Sequence, residues 1–134
     1  MNAEFLKKLE EACLKNSIDI IENWGEELIL MYRGTTFNLQ CWEEGDELNT
    51  SLTVTEVIVK GKTFDHQTYP FIDRDLSGES SNNIDDVIYE IIEAILDCDL
   101  RQNVVKLVNL WDSFIEDIPL EEQEMLKSYI KYKL

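Results

Sequence analysis

Few residues in this chain have the type and spacing for covalent chemistry. There is one histidine, His66, within Asp65-His66-Gln67. A general base of that kind needs a nucleophile or an orienting carboxylate within hydrogen-bond reach, and spacing alone assigns His66 none. Asp65, His66, Asp73 and Asp75 are ligand types gathered in one stretch, so a small metal-dependent enzyme built on the Asp65–Asp75 loop is one reading. Their spacing fits no zinc or calcium loop. Glu56 and Lys60 share a predicted strand but stand four apart, where a nuclease-type pair would stand two apart. No glycine-rich phosphate loop occurs, because the five glycines are scattered among turns. The residues call for no cofactor, no metal and no catalytic set, and the expectation is a non-enzyme.

The acidic residues carry more information. Asp86, Glu90, Glu93 and Asp97 recur at spacings of four, three and four, opposite a stripe of isoleucines. No lysine or arginine lies in that segment. Each like-charge neighbour costs a helix ~0.2–0.5 kcal/mol, so the stripe costs about 1 kcal/mol. It is either a solvated face, relieved by a base from elsewhere in the fold, or a surface for a cationic partner. The next helix adds Asp112 and Glu116 near its end, where the macrodipole favours cations. Trp42 stands beside Glu43 and Glu44, and Trp24 among Asn23, Glu26 and Glu27. Aromatics among acids are frequent at protein-contact hot spots. Two placements stay open for Trp42: packed beneath helices with the other strand face exposed, or itself on the exposed face. The candidate partner-binding residues are Asp86, Glu90, Glu93, Asp97, Asp112, Glu116, Trp42, Glu43 and Glu44.

The elements that must position these residues follow from periodicity. Phe5, Leu6, Leu9, Ala12 and Cys13 recur at helical spacing from about Ala3 to Lys15, with Asn2 as cap. The period then changes. Leu28 to Tyr32 is a short apolar run, Arg33-Gly34 a tight turn, and Phe37, Leu39 and Cys41 alternate with Asn38, Gln40 and Trp42. Glu43 to Glu47 is a polar turn, Leu52 to Val59 another strand, and Lys60-Gly61 a hairpin turn into Lys62–Phe64. Ile18 to Ile21 fits a short strand or an extension of the first helix. The stretch from Asp65 to Asn83 reads as a long loop. Three helices follow: one capped by Asn83 with Ile84, Val87, Ile88, Ile91 and Ile95 inward, one with Val104, Leu107, Val108 and Trp111, and one from about Leu120 to Tyr132 after Pro119. The expected fold class is α+β in a single domain, 1–134: an N-terminal helix, an antiparallel sheet of three to five strands, and three C-terminal helices packed on one face.

Charge bounds the partner. The 134 residues hold 12 basic and 28 acidic side chains, a net charge of −16. Small stable domains typically carry a net charge of magnitude ~2–8, and the excess repels itself. Phosphate backbones and anionic membranes repel such a surface, which argues against direct contact with nucleic acid or membrane. A basic protein is its complement. The alternative is that the charge provides only solubility. The chain opens directly into a charged amphipathic pattern, and Cys13, Cys41 and Cys98 fall on apolar faces. Both features point to a reduced, cytoplasmic protein without a secretory leader. An exposed sheet edge leaves a homo-oligomer possible.

In size, the start expected of a cytosolic protein, absence of a catalytic set and the uncompensated stripe Asp86/Glu90/Glu93/Asp97 near Asp112/Glu116, the chain resembles the small immunity proteins that bacteria pair with polymorphic or contact-dependent toxins. The resemblance is one of class and carries no specific motif. It implies a cytoplasmic inhibitor that binds and neutralises a basic toxin domain, a nuclease above all. A related reading is a phage- or plasmid-borne inhibitor that mimics DNA to block a host defence nuclease. Carboxylates four residues apart on a helix stand about 6 Å apart along the axis, close enough for one stripe to engage several phosphate-binding side chains.

Overall fold

A computed structural model describes residues 2–115, with the backbone alone described for 77–80 and 111–115. The elements in chain order are α1 (Ala3–Lys15), β1 (Asp19–Asn23), β2 (Glu27–Tyr32), β3 (Thr35–Glu44), β4 (Glu47–Val59), β5 (Lys62–Asp65), a 3-10 turn (Pro70–Ile72), β6 (Asp75–Ser81), α2 (Ile84–Leu96) and α3 (Leu100–Ile115). The fold is α+β. The expected last helix, from Leu120 to Tyr132, lies outside the described residues.

The strands form one antiparallel sheet in the order β1-β2-β3-β4-β5, and β6 also pairs with β4. Strands β2 and β3 meet through the two-residue loop Arg33-Gly34, and β4 and β5 through Lys60-Gly61. In both loops the two central residues have positive φ (48° and 75°, then 51° and 75°). These are the angles of the type I′ turn, whose twist matches the flanking strands, and glycine at the second position spares one Cβ clash.

Strand β4 is the hub. Its first half pairs with β6, from Leu48↔Ser81 to Thr53↔Asp75, and its last four residues pair with β5. On its other side it pairs with β3 along nearly its whole length. Register slips between Thr36 and Phe37 of β3, where β4 has one extra residue, Thr55. The bulge explains a phase change in β4. Leu48, Thr50, Leu52 and Val54 are buried before it, and Val57 and Val59 after it. Without the extra residue the second pair would point to the opposite face.

The buried sheet face, Leu28, Leu30, Phe37, Leu39, Cys41, Leu52 and Val54, joins Phe5, Leu9 and Cys13 of α1 in one core. Val87, Ile91 and Ile95 of α2 and Leu100, Val104 and Val108 of α3 complete it. Helix α2 lies against β4 and β6, α3 against β4, and α1 against α2 and β1. Asn2 Oδ1 caps α1 by accepting from the amides of Glu4 and Phe5 (2.9 and 3.1 Å). Asn83 caps α2 by accepting from Asp85 and Asp86 (3.0 and 3.5 Å).

The segment Asp65–Asn83 corrects the long-loop expectation, and the sheet has six strands where three to five were expected. Residues 75–81, Asp-Leu-Ser-Gly-Glu-Ser-Ser, carry no apolar alternation. They become a strand because the first half of β4 would otherwise be an open edge with unpaired backbone groups. Of the segment Ile18 to Ile21, residues 19–21 belong to β1, so it is a strand and not an extension of α1, and the strand bulges at Ile21 between Ile20 and Glu22.

Candidate functional site

Direction of travel decides what meets. Strands β1 and β2 join at Trp24–Glu26, and β3 and β4 at Gly45-Asp46. Both turns lie at the same end of the sheet, because the Cys41 amide donates to the Glu26 carbonyl at 2.8 Å. The starts of α1 and α2 lie there too. A shallow cavity of about 470 Å³ is lined by Asn2, Glu26, Cys41, Trp42, Glu43 and Leu48. A second, of about 230 Å³, is lined by Asn2, Glu43, Gly45, Asp46, Glu47, Ser81 and Ile84, among others. This end therefore gathers carboxylates of the β1–β2 turn, the β3–β4 turn and the first turns of two helices. The positive helix N-termini offset part of that charge.

Trp42 settles between its two placements. Phe37, Leu39 and Cys41 are almost fully buried, whereas Trp42 is 39% exposed on the opposite face. Its indole Nε1 donates to Glu44 at 3.3 Å. Trp24, 70% exposed, donates to Glu22 Oε2 at 2.9 Å. Two exposed indoles, each fixed by a neighbouring carboxylate, thus stand at one acidic edge. Glu43 and Glu44 are exposed beside them.

The α2 stripe starts near this edge and leads away from it. Asp86, Glu90 and Asp97 are exposed and Glu93 is half-buried. At ~1.5 Å per residue the stripe runs about 16 Å along the helix. Among the described residues the base that reaches α2 is Lys8 of α1, and it bonds Asp85 Oδ1 at 2.9 Å and Glu4 at 3.5 Å rather than a stripe residue. That hydrogen bond to Asp85, ahead of the opposing desolvation, raises the Lys8 pKa. Among the described residues no ion pair reaches Asp86, Glu90, Glu93 or Asp97. Asp97 is the C-cap of α2, against the negative end of the helix, and no basic residue lies in the last turn. Sequence reasoning missed Tyr89, which is 62% exposed. It stands three residues after Asp86 and four before Glu93, on the acidic face. Its displacement from the isoleucine stripe was the available signal. Asp112 lies in α3 with its side chain outside the described residues, and Glu116 lies outside them altogether.

The groups considered for catalysis have structural duties. Asp65 Oδ1 accepts from the amides of Gln67 and Thr68 (3.0 and 2.8 Å). The Thr68 amide, as the largest contribution, lowers the Asp65 pKa. His66 Nδ1 lies 3.0 Å from the Thr55 carbonyl, which can only accept, so that nitrogen carries a proton. The loop does not assemble Asp65, His66, Asp73 and Asp75 as ligands. Among the described residues, no three His, Cys, Asp or Glu side chains are grouped to hold a metal ion. Burial pushes the Cys13 thiol up to about 11 and Cys41 to about 12, and it raises Cys98 as well. These are poor nucleophiles at neutral pH. No described helix is long and apolar enough to cross a membrane.

Comparison with known proteins adds no family: no family model, no curated protein and no solved structure matches the chain.

Proposed function

We propose that this protein is a non-enzymatic inhibitor of the immunity type, which binds a basic protein domain in the cytoplasm and neutralises it. A toxin nuclease is the partner class that the surface chemistry fits. The observation that carries this reading is the acidic sheet end, where Trp24 and Trp42 stand exposed beside Glu22, Glu26, Glu43 and Glu44. Such an arrangement offers apolar contact area within a field that attracts lysine and arginine. Those residues line the clefts of phosphate-cleaving enzymes, and covering them blocks substrate. The α2 stripe extends the field from this end and steers approach.

Affinity capture from the native lysate at low salt tests the reading. The native chain is compared with the double variant Glu43→Lys, Glu44→Lys. The expected result is a basic protein that elutes from the native chain with a salt step. The double variant should bind it at least about tenfold more weakly, which is the factor that a single charge-assisted hydrogen bond contributes. Glu90→Lys with Glu93→Lys should mainly slow association. Equal binding by the native chain and both double variants refutes the electrostatic docking model.

A further inference from the structure

The end of the sheet opposite the acidic turns has a different chemistry. A cavity of about 180 Å³ lies between the β2–β3 turn and the start of α3, lined by Tyr32, Arg33, Thr35, Cys98, Arg101 and Gln102, over an apolar floor. The two arginines are far apart in sequence, but Gly34 brings them together. Arg101 passes so close over Gly34 that a Cβ there would stand 2.7 Å from its Nε. That Nε donates to the Ile58 carbonyl at 3.3 Å, which fixes the side chain and leaves the fork of terminal nitrogens outside that bond. Arg33 is held beside it, with its guanidinium carbon 5.1 Å from the Tyr32 ring centroid.

Neither arginine forms an ion pair among the described residues, although the chain carries 28 acidic side chains. Asp97 and Asp99 flank Cys98 but do not line the cavity. Among the described residues that line it, two like charges therefore face one small cavity without a carboxylate. Gln102 and Thr35 supply further polar groups.

We propose that this cavity is a binding site for a small oxyanion, a phosphate or carboxylate group, gripped between Arg33 and Arg101. Guanidinium forks match the paired oxygens of both groups. A volume of about 180 Å³ admits such a group with part of its hydration. The site is independent of the acidic end and of the inhibitor reading.

The test is an ¹H–¹⁵N NMR titration of the full chain with sodium phosphate and, separately, sodium acetate. Sodium chloride holds ionic strength constant. The expected result is a saturable shift at the amides of Arg33, Gly34, Arg101 and Gln102, with a Kd on the order of 1 mM. Saturation by phosphate alone assigns the site to phosphate-bearing ligands, and comparable saturation by acetate assigns it to carboxylates also. Arg33→Gln should weaken binding by about tenfold, and Arg33→Lys, which keeps the charge but loses the fork, by less. Non-saturating shifts, or a Kd unchanged in Arg33→Gln, overturn the proposal. If Arg33→Gln disturbs the spectrum beyond the turn, an unchanged Kd in Arg33→Lys overturns the paired-fork grip.

Discussion

The seat of Arg101 on Gly34 can be weighed against a built-in reference. Gly34 and Gly61 occupy the same position in two hairpin turns and share φ +75°. Their surroundings differ. A Cβ at Gly61 meets nothing within 4 Å, whereas at Gly34 it meets Arg101 Nε at 2.7 Å, the Ile58 carbonyl at 3.0 Å and Arg101 Cδ at 3.2 Å. Gly61→Ala should therefore cost only the left-handed backbone, about 1–2 kcal/mol. Gly34→Ala bears that cost and also displaces Arg101 from the Ile58 carbonyl, a further ~1–2 kcal/mol. The carbonyl itself cannot retreat freely, because the Ile58 amide donates to the Gly34 carbonyl at 2.7 Å. The total is about 2–4 kcal/mol. Equilibrium urea unfolding, followed by far-UV circular dichroism, reads the difference. With a slope of about 2 kcal/mol per molar, the midpoint falls by ~0.5–1 M for Gly61→Ala and by ~1–2 M for Gly34→Ala. In an Arg101→Ala background the excess at Gly34 should shrink. Equal midpoints for the two alanine variants would refute the seat, and with it the convergence of the two arginines.

Two further outcomes follow from the groups considered for catalysis. The Asp65 pKa is lowered in the folded chain by backbone amides, so its contribution is present above the unfolded value and is lost as pH falls through the folded one. Asp65→Ala should narrow the stability gap from native as pH drops below the ordinary aspartate range, and a gap independent of pH between 2 and 7 (about the span over which carboxylates titrate) contradicts the amide cage. The thiols of Cys13 and Cys41 should react with a disulfide reagent at about pH 8 only as fast as the chain opens. Reaction at the rate of a free thiol would mean that the core is open at α1 or β3.

Legibility followed locality. The α1 face, the Phe37/Leu39/Cys41 alternation, the two I′ turns and the isoleucines of α2 were all readable, because each is a period or a turn signal within a few residues. Strand β6 was not. Its Ser-Gly-rich sequence carries no pattern, and it is a strand only because β4 presents an open flank. The Thr55 bulge is equally silent, since only pairing with Thr36 and Phe37 reveals the extra residue. Charge was read by type and by helical spacing, which found the α2 stripe. Its placement required topology: up-and-down strands bring Trp24 and Trp42 to one end, and a tertiary contact over Gly34 brings Arg33 to Arg101. Position alone turned scattered acids and bases into an acidic end and a cationic notch.

The double partnership of β4 also shapes how the molecule breathes. Along one side its amides and carbonyls are shared first with β6 and then with β5, and the handover is closed by bonds from the Val54 amide to the Arg74 carbonyl and from the His66 amide to the Thr55 carbonyl (3.0 and 2.9 Å). Fraying of either outer strand strips only part of β4, while its middle stays enclosed. Amides there should exchange with solvent deuterium only through global unfolding, whereas those around Gly45 exchange through local openings. The acidic β3–β4 turn can therefore open locally to meet a partner while the enclosed middle of β4 stays paired on both sides.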